Sequence, residues 1–276
     1  MILNIKGDIL DLSSPKIMGV LNVTPDSFYD GGVFSNEKKI LAQVEKMILD
    51  GADIIDIGGF SSKPGAKTIS LKEEEKRVIP IIKLINKTFN KIIISVDTFR
   101  SEIAEKSLNE GASIINDISG GDLDKNIYQI SYKYKAPYIM MHMNGVPSNM
   151  QNNPKYENIN HDIIKDFTSK IDSAEKKGVC DIIIDPGFGF GKTIQHNYQI
   201  LNNLKLYTVL KKPILVGISR KSMIYKLLKT DPSKALNGTT SLNTIALING
   251  ANILRVHDVK EAKEVIKLYS FLKENV

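Results

Sequence analysis

The chain has 276 residues, 42% of them hydrophobic and 25% charged, which is typical of a globular protein long enough for one large barrel or two ordinary domains. Its formal charge of +6 permits an anionic ligand, although abundant surface lysine is the simpler explanation, and no basic tract with interleaved aromatic residues indicates a nucleic-acid partner. The single cysteine, the lack of an apolar signal core at the N-terminus, and the lack of an apolar run near the roughly 20 residues of a membrane span predict a cytoplasmic protein. The apolar neighbours of Cys180 predict that it is a small core residue and not a nucleophile.

The N-terminal segment 2–12 predicts a β-hairpin. Two short alternating apolar runs flank Lys6-Gly7-Asp8, which contains a turn-forming pair. Because the hairpin precedes the first strand of the pattern described next, we expect it to close the lower end of the fold.

Eight short apolar runs follow, and most of them end on a polar or charged residue. The runs and their ends are 17–20 into Asn22, 54–55 into Asp56, 92–96 into Asp97, 114–115 into Asn116, 138–141 into His142, 182–184 into Asp185, 214–217 into 219–221, and 253–254 into Arg255 and His257. Continuous runs of β-branched residues suit strands that are buried on both faces of a parallel sheet.

The segments between these runs predict one helix each. The first follows Ser35 or Asn36 as N-cap, and the second has a capping box of Ser70 and Glu73. Pro80 within the second predicts a kink or a late start. Further helices are predicted over 101–110, 126–134, 158–177, 196–204, 222–228, 235–249 and 259–272.

A glycine followed by a small residue precedes several runs, which is typical of repeated helix–strand units. Eight units predict a (β/α)8 TIM barrel with an N-terminal β-hairpin, favoured over an open doubly wound sheet, and the length matches the roughly 250 residues usual for this barrel. No linker divides the chain, so we expect one domain over 1–276. The long segments 23–35, 58–69 and 143–157 follow strands, so they predict the working rim and are candidate lids.

Three carboxylates, those of Asp56, Asp97 and Asp185, end strands at this predicted rim. One alone could cap a helix, but three at matching ends, together with Asn22 and Asn116, are harder to explain in that way. A carboxylate accepts two parallel hydrogen bonds from adjacent N–H and NH₂ groups, so the rim can bind the guanidine-like edge of a heterocycle. A ligand that also bears negative groups is indicated by the cations of the same rim: Lys221, Arg255 and His257.

The segment 185–193 reads Asp-Pro-Gly-Phe-Gly-Phe-Gly-Lys-Thr, but it is not a phosphate-binding loop of a known pattern. A Walker loop needs glycine where Pro186 stands, and the dinucleotide pattern fails because its last glycine falls one place early. We interpret the segment as a strand end followed by a floor lined by glycine. The segment 219–222 ends a strand and opens a helix, whose N–H groups suit a carboxylate or phosphate.

The four histidines have no zinc-type spacing. His161 and His196 are predicted to be surface or helix-capping residues, whereas His142, at a strand end, is as readily a packing residue as a functional one. A hard cation such as Mg²⁺, bound by Asn22 and phosphate oxygens, is compatible with the sequence.

A series of motifs resembles those of the dihydropteroate synthases. They are Asn22-Val-Thr-Pro-Asp-Ser-Phe28 with 30–32, then 56–66, 95–98, 115–117, 141–147 with 150–151, 185–192, 219–222 and 255–258. The resemblance runs in order from about 17 to 257. It implies condensation of 6-hydroxymethyl-7,8-dihydropterin diphosphate with 4-aminobenzoate, giving 7,8-dihydropteroate and diphosphate in folate biosynthesis. It also implies a homodimer formed through the late helices.

The resemblance implies roles for the pterin-facing residues. Arg255 would stack on or flank the ring and meet the diphosphate together with His257. The pterin edge would be held by four residues: Asp97, Asn116, Asp185 and Lys221.

The resemblance also implies the contacts of the remaining groups. Asn22 would contact Mg²⁺ and the diphosphate, and Ser62 and Lys63 would meet the diphosphate or the reacting centre. Ser222 would bind the aminobenzoate carboxylate. The residues implied in catalysis are Asp97, Lys63, Lys221 and Arg255. The aniline nitrogen is already nucleophilic, so no activated serine or cysteine is required.

The second loop departs from the family pattern. Phe60, Ser62 and Lys63 stand where glutamate, threonine and arginine are usual, so Lys63 keeps its charge but loses the planar fork. This departure bears on loop geometry and inhibitor response more than on the reaction. Asp56 has no implied role, and we expect it to hold this loop.

Two alternatives are open at this point. A pterin-dependent methyltransferase would need no diphosphate site, so the segment 24–26, Lys63 and His257 argue against it. A non-catalytic pterin-binding relative is favoured only by the altered second loop.

Overall fold

The computed structural model describes residues 1–23, 32–60, 69–145, 150 and 154–275, with the backbone alone for 32–35. Strands β1 (Ile2–Ile5) and β2 (Asp8–Asp11) pair in antiparallel fashion, so the predicted hairpin is confirmed. Its turn places Lys6 and Gly7 at positive φ. The hairpin is tied to the rest of the chain by the Lys6 Nζ atom, which donates to the Gly111 carbonyl at 2.9 Å.

Within the described residues, eight parallel strands form the main sheet. They are β3 (Lys16–Asn22), β4 (Ile54–Gly58), β5 (Ile93–Asp97), β6 (Ile114–Asp117), β7 (Tyr138–Met141), β8 (Ile182–Asp185), β9 (Leu215–Val216) and β10 (Ile253–Val256). Neighbours follow the chain from β3 to β8, and β3 also pairs with β10, which pairs with β9. A bridge between Ile184 and Ile214 joins the two ends of the sheet. The predicted (β/α)8 barrel is therefore confirmed.

Helices connect the strands on the outside of the barrel. They are α1 (Gly32–Leu49), α2 (Leu71–Thr88), α3 (Ser101–Asn109), α4 (Ile127–Tyr134), α5 (Ile159–Glu175), α6 (Ile194–Asn202), α7 (Ser222–Tyr225), α8 (Leu236–Ile248) and α9 (Val259–Glu274). Short 3₁₀ helices cover Leu204–Leu210 and Pro232–Lys234. Along the described ranges, none of the helices combines the length and apolar character that crossing a membrane requires.

Two helix starts differ from the sequence predictions. Helix α1 begins at Gly32, so the prediction of Ser35 or Asn36 as its N-cap is wrong, because a cap signal worth about 1 kcal/mol does not stop a helix from extending by a turn. The Ser70 cap of α2 is confirmed, since its hydroxyl accepts from the Glu73 N–H at 3.2 Å. Helix α2 runs through Pro80 from its first turn, so the predicted late start is wrong.

Cys180 is exposed, so its prediction as a core residue is wrong. It lies between buried Val179 and the first residues of β8. Side chains alternate between the two faces of an extended segment, so the residue next to an inward-facing valine points outward.

The lower interior of the barrel is apolar. Alternate residues of each strand face inward, and the lowest layer packs against side chains of the hairpin. This cluster consists of Leu3, Ile5, Leu12, Met18, Ile54, Ile114, Ile139, Ile183, Leu215 and Ile253. The hairpin therefore covers the N-terminal end of the barrel and keeps water from its base.

The inward positions become polar two to four residues further along the same strands. Asp56 follows Ile54 on β4, and Arg255 follows Ile253 on β10. The other buried polar residues at this level are Ser95, Asp97, Asn116 and Asp185. A polar upper layer over a sealed apolar base places the candidate site at the C-terminal rim, where barrels of this type carry their chemistry.

The hairpin predicts a measurable contribution to stability. Leu3 is 2% exposed and Ile9, on the other strand of the same hairpin, is 71% exposed. We expect Leu3→Ala to lower the free energy of unfolding by about 2–4 kcal/mol in urea denaturation, because it opens a cavity at the barrel base. The matched variant Ile9→Ala should stay close to wild type. Equal losses for the two variants would contradict a packed hairpin.

Candidate active site

The Arg255 guanidinium lies at the centre of the polar layer. Its Nε donates to Asp56 Oδ2 at 2.7 Å, and its Nη2 donates to Asp97 Oδ2 at 2.7 Å. Asp56 is fully buried and Asp97 is 5% exposed, so both charges sit in a region of low dielectric. A charge in such a place is stable only when it is paired with good geometry, and the planar fork of arginine supplies two separate donors.

Asn116 is part of the same network. Its Nδ2 donates to Asp56 Oδ2 at 3.0 Å, and on the neighbouring strand Asp97 lies in register with it. Asp56 Oδ1 and Asp97 Oδ1 are buried and have no hydrogen-bond partner in the described part of the chain. A buried acceptor without a donor costs about 1–3 kcal/mol, so these two oxygens indicate a ligand that brings N–H or O–H groups.

The charges of this network shift one another's pKa values. Burial raises the pKa of Asp97 to about 7, against the opposing effect of the Arg255 guanidinium and with a further rise from Asp56. Burial alone would lower the pKa of Arg255, but the carboxylates of Asp56 and Asp97 outweigh it and raise that pKa. A carboxyl that titrates near neutral pH in a cleft is typical of functional sites.

Asp185 and Lys221 carry opposite charges at the same rim, and we call these two residues the rim pair. Asp185 ends β8, and its Oδ1 accepts from the Gly187 N–H at 2.7 Å. Burial raises the pKa of Asp185, and the Lys221 ammonium opposes that rise. Burial lowers the pKa of Lys221 to about 8, and here the Asp185 carboxylate opposes the change.

The segment 187–191 forms the floor predicted from its glycines. Lys221 Nζ donates to the Phe188 carbonyl at 2.5 Å and lies 4.7 Å from the centre of the Phe190 ring. Gly187 has φ +71°, and a Cβ there would stand 1.9 Å from the His142 carbonyl oxygen. The floor therefore needs glycine where it presses against the end of β7.

The rim continues at the ends of β9 and β10. The exposed His257 lies beyond the end of β10, and its N–H donates to Ser219 Oγ at 3.2 Å. The Arg220 guanidinium is occupied by the Asp258 carboxylate, to which it makes two hydrogen bonds of 2.9 Å. Ser222 begins helix α7 directly after Lys221, so it lies beside the rim pair.

The structure brings most of the predicted site residues to one rim. Asn22 ends β3 and is exposed there. Ser62 and Lys63, as well as the segment 24–26, lie outside the described residues. The residues that the barrel gathers are Asp97, Asn116, Asp185, Lys221, Ser222, Arg255 and His257.

Two residues of the site have contacts that the sequence did not predict. Asp56 was expected to hold the second loop, most of which lies outside the described residues, and its partners in the described part of the chain are Arg255 and Asn116. The alternation of β4 carries the missing signal, because Asp56 shares the inward face with Ile54. Lys192 was given no role, yet it is 3% exposed and contacts His142 beneath the floor.

The other histidines are structural or exposed. His196 completes a capping box with Thr193 at the start of α6, as its prediction as a capping residue required. His161 is exposed in the first turn of α5, where its N–H donates to the Asn158 side chain.

A magnesium ion at the rim would need oxygen donors from the chain. No group of three or more His, Cys, Asp or Glu residues among the described ones could hold a metal. Asn22 offers an exposed amide oxygen at the end of β3, in register with Gly58. Mg²⁺ keeps several waters and takes few protein oxygens together with substrate phosphates, so one amide oxygen at an open rim fits this ion.

Several known proteins are similar to this chain in sequence and in fold. The family model described as pterin binding enzyme matches residues 18–257. The dihydropteroate synthase of Escherichia coli (strain K12) is 42% identical over 265 residues, which cover 95% of this chain and 93% of that protein. The Yersinia pestis dihydropteroate synthase, solved with a sulfonamide drug complex, superposes with a TM-score of 0.93 at 40% identity, covering 99% of this chain and 100% of that one.

A third similar protein carries one of the small molecules discussed above. The Xanthomonas albilineans dihydropteroate synthase, solved with 4-aminobenzoic acid, has a TM-score of 0.91 and 33% identity, covering 99% of this chain and 98% of that one.

The pairing of Asp56 with Arg255 predicts that the conservative substitution Asp56→Asn strongly destabilises the protein. Asp56→Asn keeps the shape but removes the charge, which leaves Arg255 with one carboxylate in a buried position. We expect the free energy of unfolding to fall by about 3–5 kcal/mol in urea denaturation. Asp172→Asn, which breaks an exposed pair with Lys176, is the control and should change little. A loss as small as that of the control would refute the central role of the pair.

Proposed function

Because this chain belongs to the dihydropteroate synthases, within the pterin-binding enzyme family, we propose that its rim site condenses 6-hydroxymethyl-7,8-dihydropterin diphosphate with 4-aminobenzoate. The products are 7,8-dihydropteroate and diphosphate, a step of folate biosynthesis. The observation that carries the proposal is that one rim gathers Arg255 with Asp56 and Asp97, and also Lys221 with Asp185, and that two buried carboxylate oxygens there have no described partner.

The pterin is recognised through its hydrogen-bonding edge. A pterin presents adjacent N–H and NH₂ donors, which match the two oxygens of a carboxylate such as Asp185. Lys221 donates to an acceptor of the ring, and Asn116 and Asp97 complete the edge. The buried Oδ1 atoms of Asp56 and Asp97 gain donors in this way, which removes their desolvation cost.

The diphosphate lies toward the open side of the rim. The exposed His257 lies at that side, and the Arg255 guanidinium adds positive potential. As the resemblance implies, Lys63 and Ser62, which lie outside the described residues, would add a positive charge and a hydroxyl. Asn22 would hold Mg²⁺ together with oxygens of the diphosphate, and the bound ion would supply neutralisation of the leaving-group charge. The positive groups of the chain stabilise the charge that develops on the departing diphosphate.

The reaction breaks one C–O bond and forms one C–N bond. The electron pair of the bond between the pterin methylene and the diphosphate leaves with the diphosphate. The methylene then carries a positive charge that is delocalised into the pterin ring, and the Asp97 carboxylate stabilises it. The aniline nitrogen attacks the methylene and loses a proton. A positive ring favours the ionised form of Asp97, which offsets the effect of burial on its pKa.

The amine substrate binds beside the rim pair. The 4-aminobenzoate carboxylate is placed at Ser222, which opens α7 next to Lys221. The Xanthomonas albilineans relative with 4-aminobenzoic acid supports the choice of this amine.

A homodimer in the cytoplasm completes the proposal. Helices α8 and α9 pack against each other and expose large apolar side chains: Ile245, Ile248, Leu268, Phe271 and Leu272. Exposed apolar groups on adjacent helices are typical of a protein interface. The single, unpaired Cys180 suits a reducing compartment.

One assay tests the reaction itself. The chain is supplied with the pterin diphosphate and Mg²⁺, with or without 4-aminobenzoate, and released diphosphate is measured. We expect release that depends on the amine and matches the dihydropteroate formed. Diphosphate release without the amine, or no release at all, would refute the proposal. If the chain instead transferred a methyl group from a pterin, it would be a pterin-dependent methyltransferase.

The role of Asp185 predicts a loss of pterin affinity. Asp185→Asn keeps one acceptor but loses the charge and the second acceptor. We expect the Kd for the pterin diphosphate to rise about tenfold or more in calorimetry, since a charge-assisted hydrogen bond contributes about 1.5–3 kcal/mol. Lys87→Ala, on the exposed side of α2, is the control. Affinity within about twofold of wild type would remove Asp185 from the pterin site.

The dimer predicts a change of mass in solution. Leu268 and Phe271 are 74% and 69% exposed on α9. We expect the double variant Leu268→Glu, Phe271→Glu to be a monomer by light scattering, because two charges would be buried without partners in the interface. Tyr132→Glu, on α4, should leave a dimer. A wild-type monomer at micromolar concentration would contradict the proposal.

A further inference from the structure

Lys192 is a buried cation that the proposed reaction does not use. It follows the glycine floor directly and precedes the Thr193 cap of α6. Its side chain is 3% exposed, although lysine is almost never fully buried without a partner. Removing an ammonium from water costs several kcal/mol, so its partners must offset that cost.

The Lys192 ammonium joins the floor to the end of β7. Its Nζ donates to the Phe190 carbonyl at 2.9 Å and to the His142 carbonyl at 3.2 Å. It also lies 3.0 Å from His142 Nδ1. An ammonium has donors alone, so Nδ1 accepts and the neutral imidazole carries its proton on Nε2. Burial lowers the pKa of His142 to about 2, which keeps this ring neutral.

Two lysines hold alternate carbonyls of the same floor. Lys221 donates to the Phe188 carbonyl, and Lys192 donates to the Phe190 carbonyl. Gly187 passes so close to Lys192 that an added Cβ would stand 3.3 Å from its Nζ atom. The floor is therefore held at two carbonyls by two different lysines.

The charges around Lys192 fit a supporting role. Burial lowers the pKa of Lys192 to about 7; the Asp185 carboxylate opposes this change, and the Lys221 ammonium reinforces it. On α5, the Asp166 carboxylate also raises the pKa of Lys192, and the Lys170 ammonium lowers it. Lys192 is therefore close enough to Asp185 and Lys221 for their charges to affect its pKa.

We infer that Lys192 is a positioning residue of the pterin site: by holding the Phe190 and His142 carbonyls, it sets the floor against which Asp185 and Lys221 bind the pterin. This inference rests on the proposed function. Asp185 depends on the floor because its Oδ1 accepts from the Gly187 N–H, and Lys221 depends on it through the Phe188 carbonyl. A floor that relaxes would misplace both groups at once.

The test separates positioning from general stability. Lys192→Met keeps an unbranched side chain of similar length and removes the donors, and Lys87→Met is the matched exposed control. Binding of the pterin diphosphate is measured by calorimetry without the amine, and KM for 4-aminobenzoate is measured separately. Hydrogen exchange is followed at the amides of 187–192.

We expect the variant to raise Kd for the pterin about tenfold or more, to change KM for 4-aminobenzoate less than twofold, and to speed exchange in the floor alone. Unchanged pterin affinity would overturn the inference. Equal changes in both constants, with faster exchange throughout the barrel, would also overturn it, since they indicate a structural role.

A second variant covers the case in which Lys192→Met does not fold. Lys192→Gln keeps a neutral donor. We expect it to lose less pterin affinity than Lys192→Met, again with little change in KM for 4-aminobenzoate. Pterin affinity equal to wild type in this variant would overturn the inference. A wild-type chain that binds no pterin would instead refute the proposed function, and the inference with it.

Discussion

The active rim depends on one buried guanidinium held between two carboxylates. Arg255 reaches from β10 to Asp56 and Asp97 on strands β4 and β5, and none of the three would be stable at that depth alone. The apolar base beneath, sealed by the hairpin, keeps water away and so strengthens every charge interaction above it. The fold thus supplies the dry environment, and the ion-pair network supplies the order within it.

This network fixes the positions of the carboxylates but leaves some of their oxygens without hydrogen-bond donors. One oxygen each of Asp56 and Asp97 is buried without a described partner, and the Asp97 carboxyl titrates near neutral pH because of burial. In the proposed reaction a pterin would bring the missing donors, and a positive charge on its ring would favour the ionised Asp97 carboxylate. The same carboxylates would then bind the pterin and stabilise the positive charge that develops on it. A preorganised site can lower the reaction barrier in this way without an enzyme nucleophile.

Much of this arrangement could be predicted from the sequence. Strand ends marked by polar residues identified the rim, and glycine spacing identified the floor. The network itself could not be predicted, because Arg255 and Asp56 are 199 residues apart and their pairing depends on barrel closure. Lys192 was missed for a similar reason, since its His142 partner lies 50 residues away. Two predictions made from neighbouring residues alone were also wrong. Cys180 was expected in the core but is exposed, and helix α1 begins earlier than its expected N-cap.

Asp56 and Arg255 form one buried ion pair, and we propose that pterin binding depends on that pair being intact. A double-mutant cycle on pterin affinity tests it most directly, with Asp56→Asn, Arg255→Lys and the double variant measured by calorimetry. The account predicts that the double variant binds within about twofold of the weaker single variant, because either change already breaks the pair. If the two losses multiply instead, the residues act independently, and the network does not organise the site.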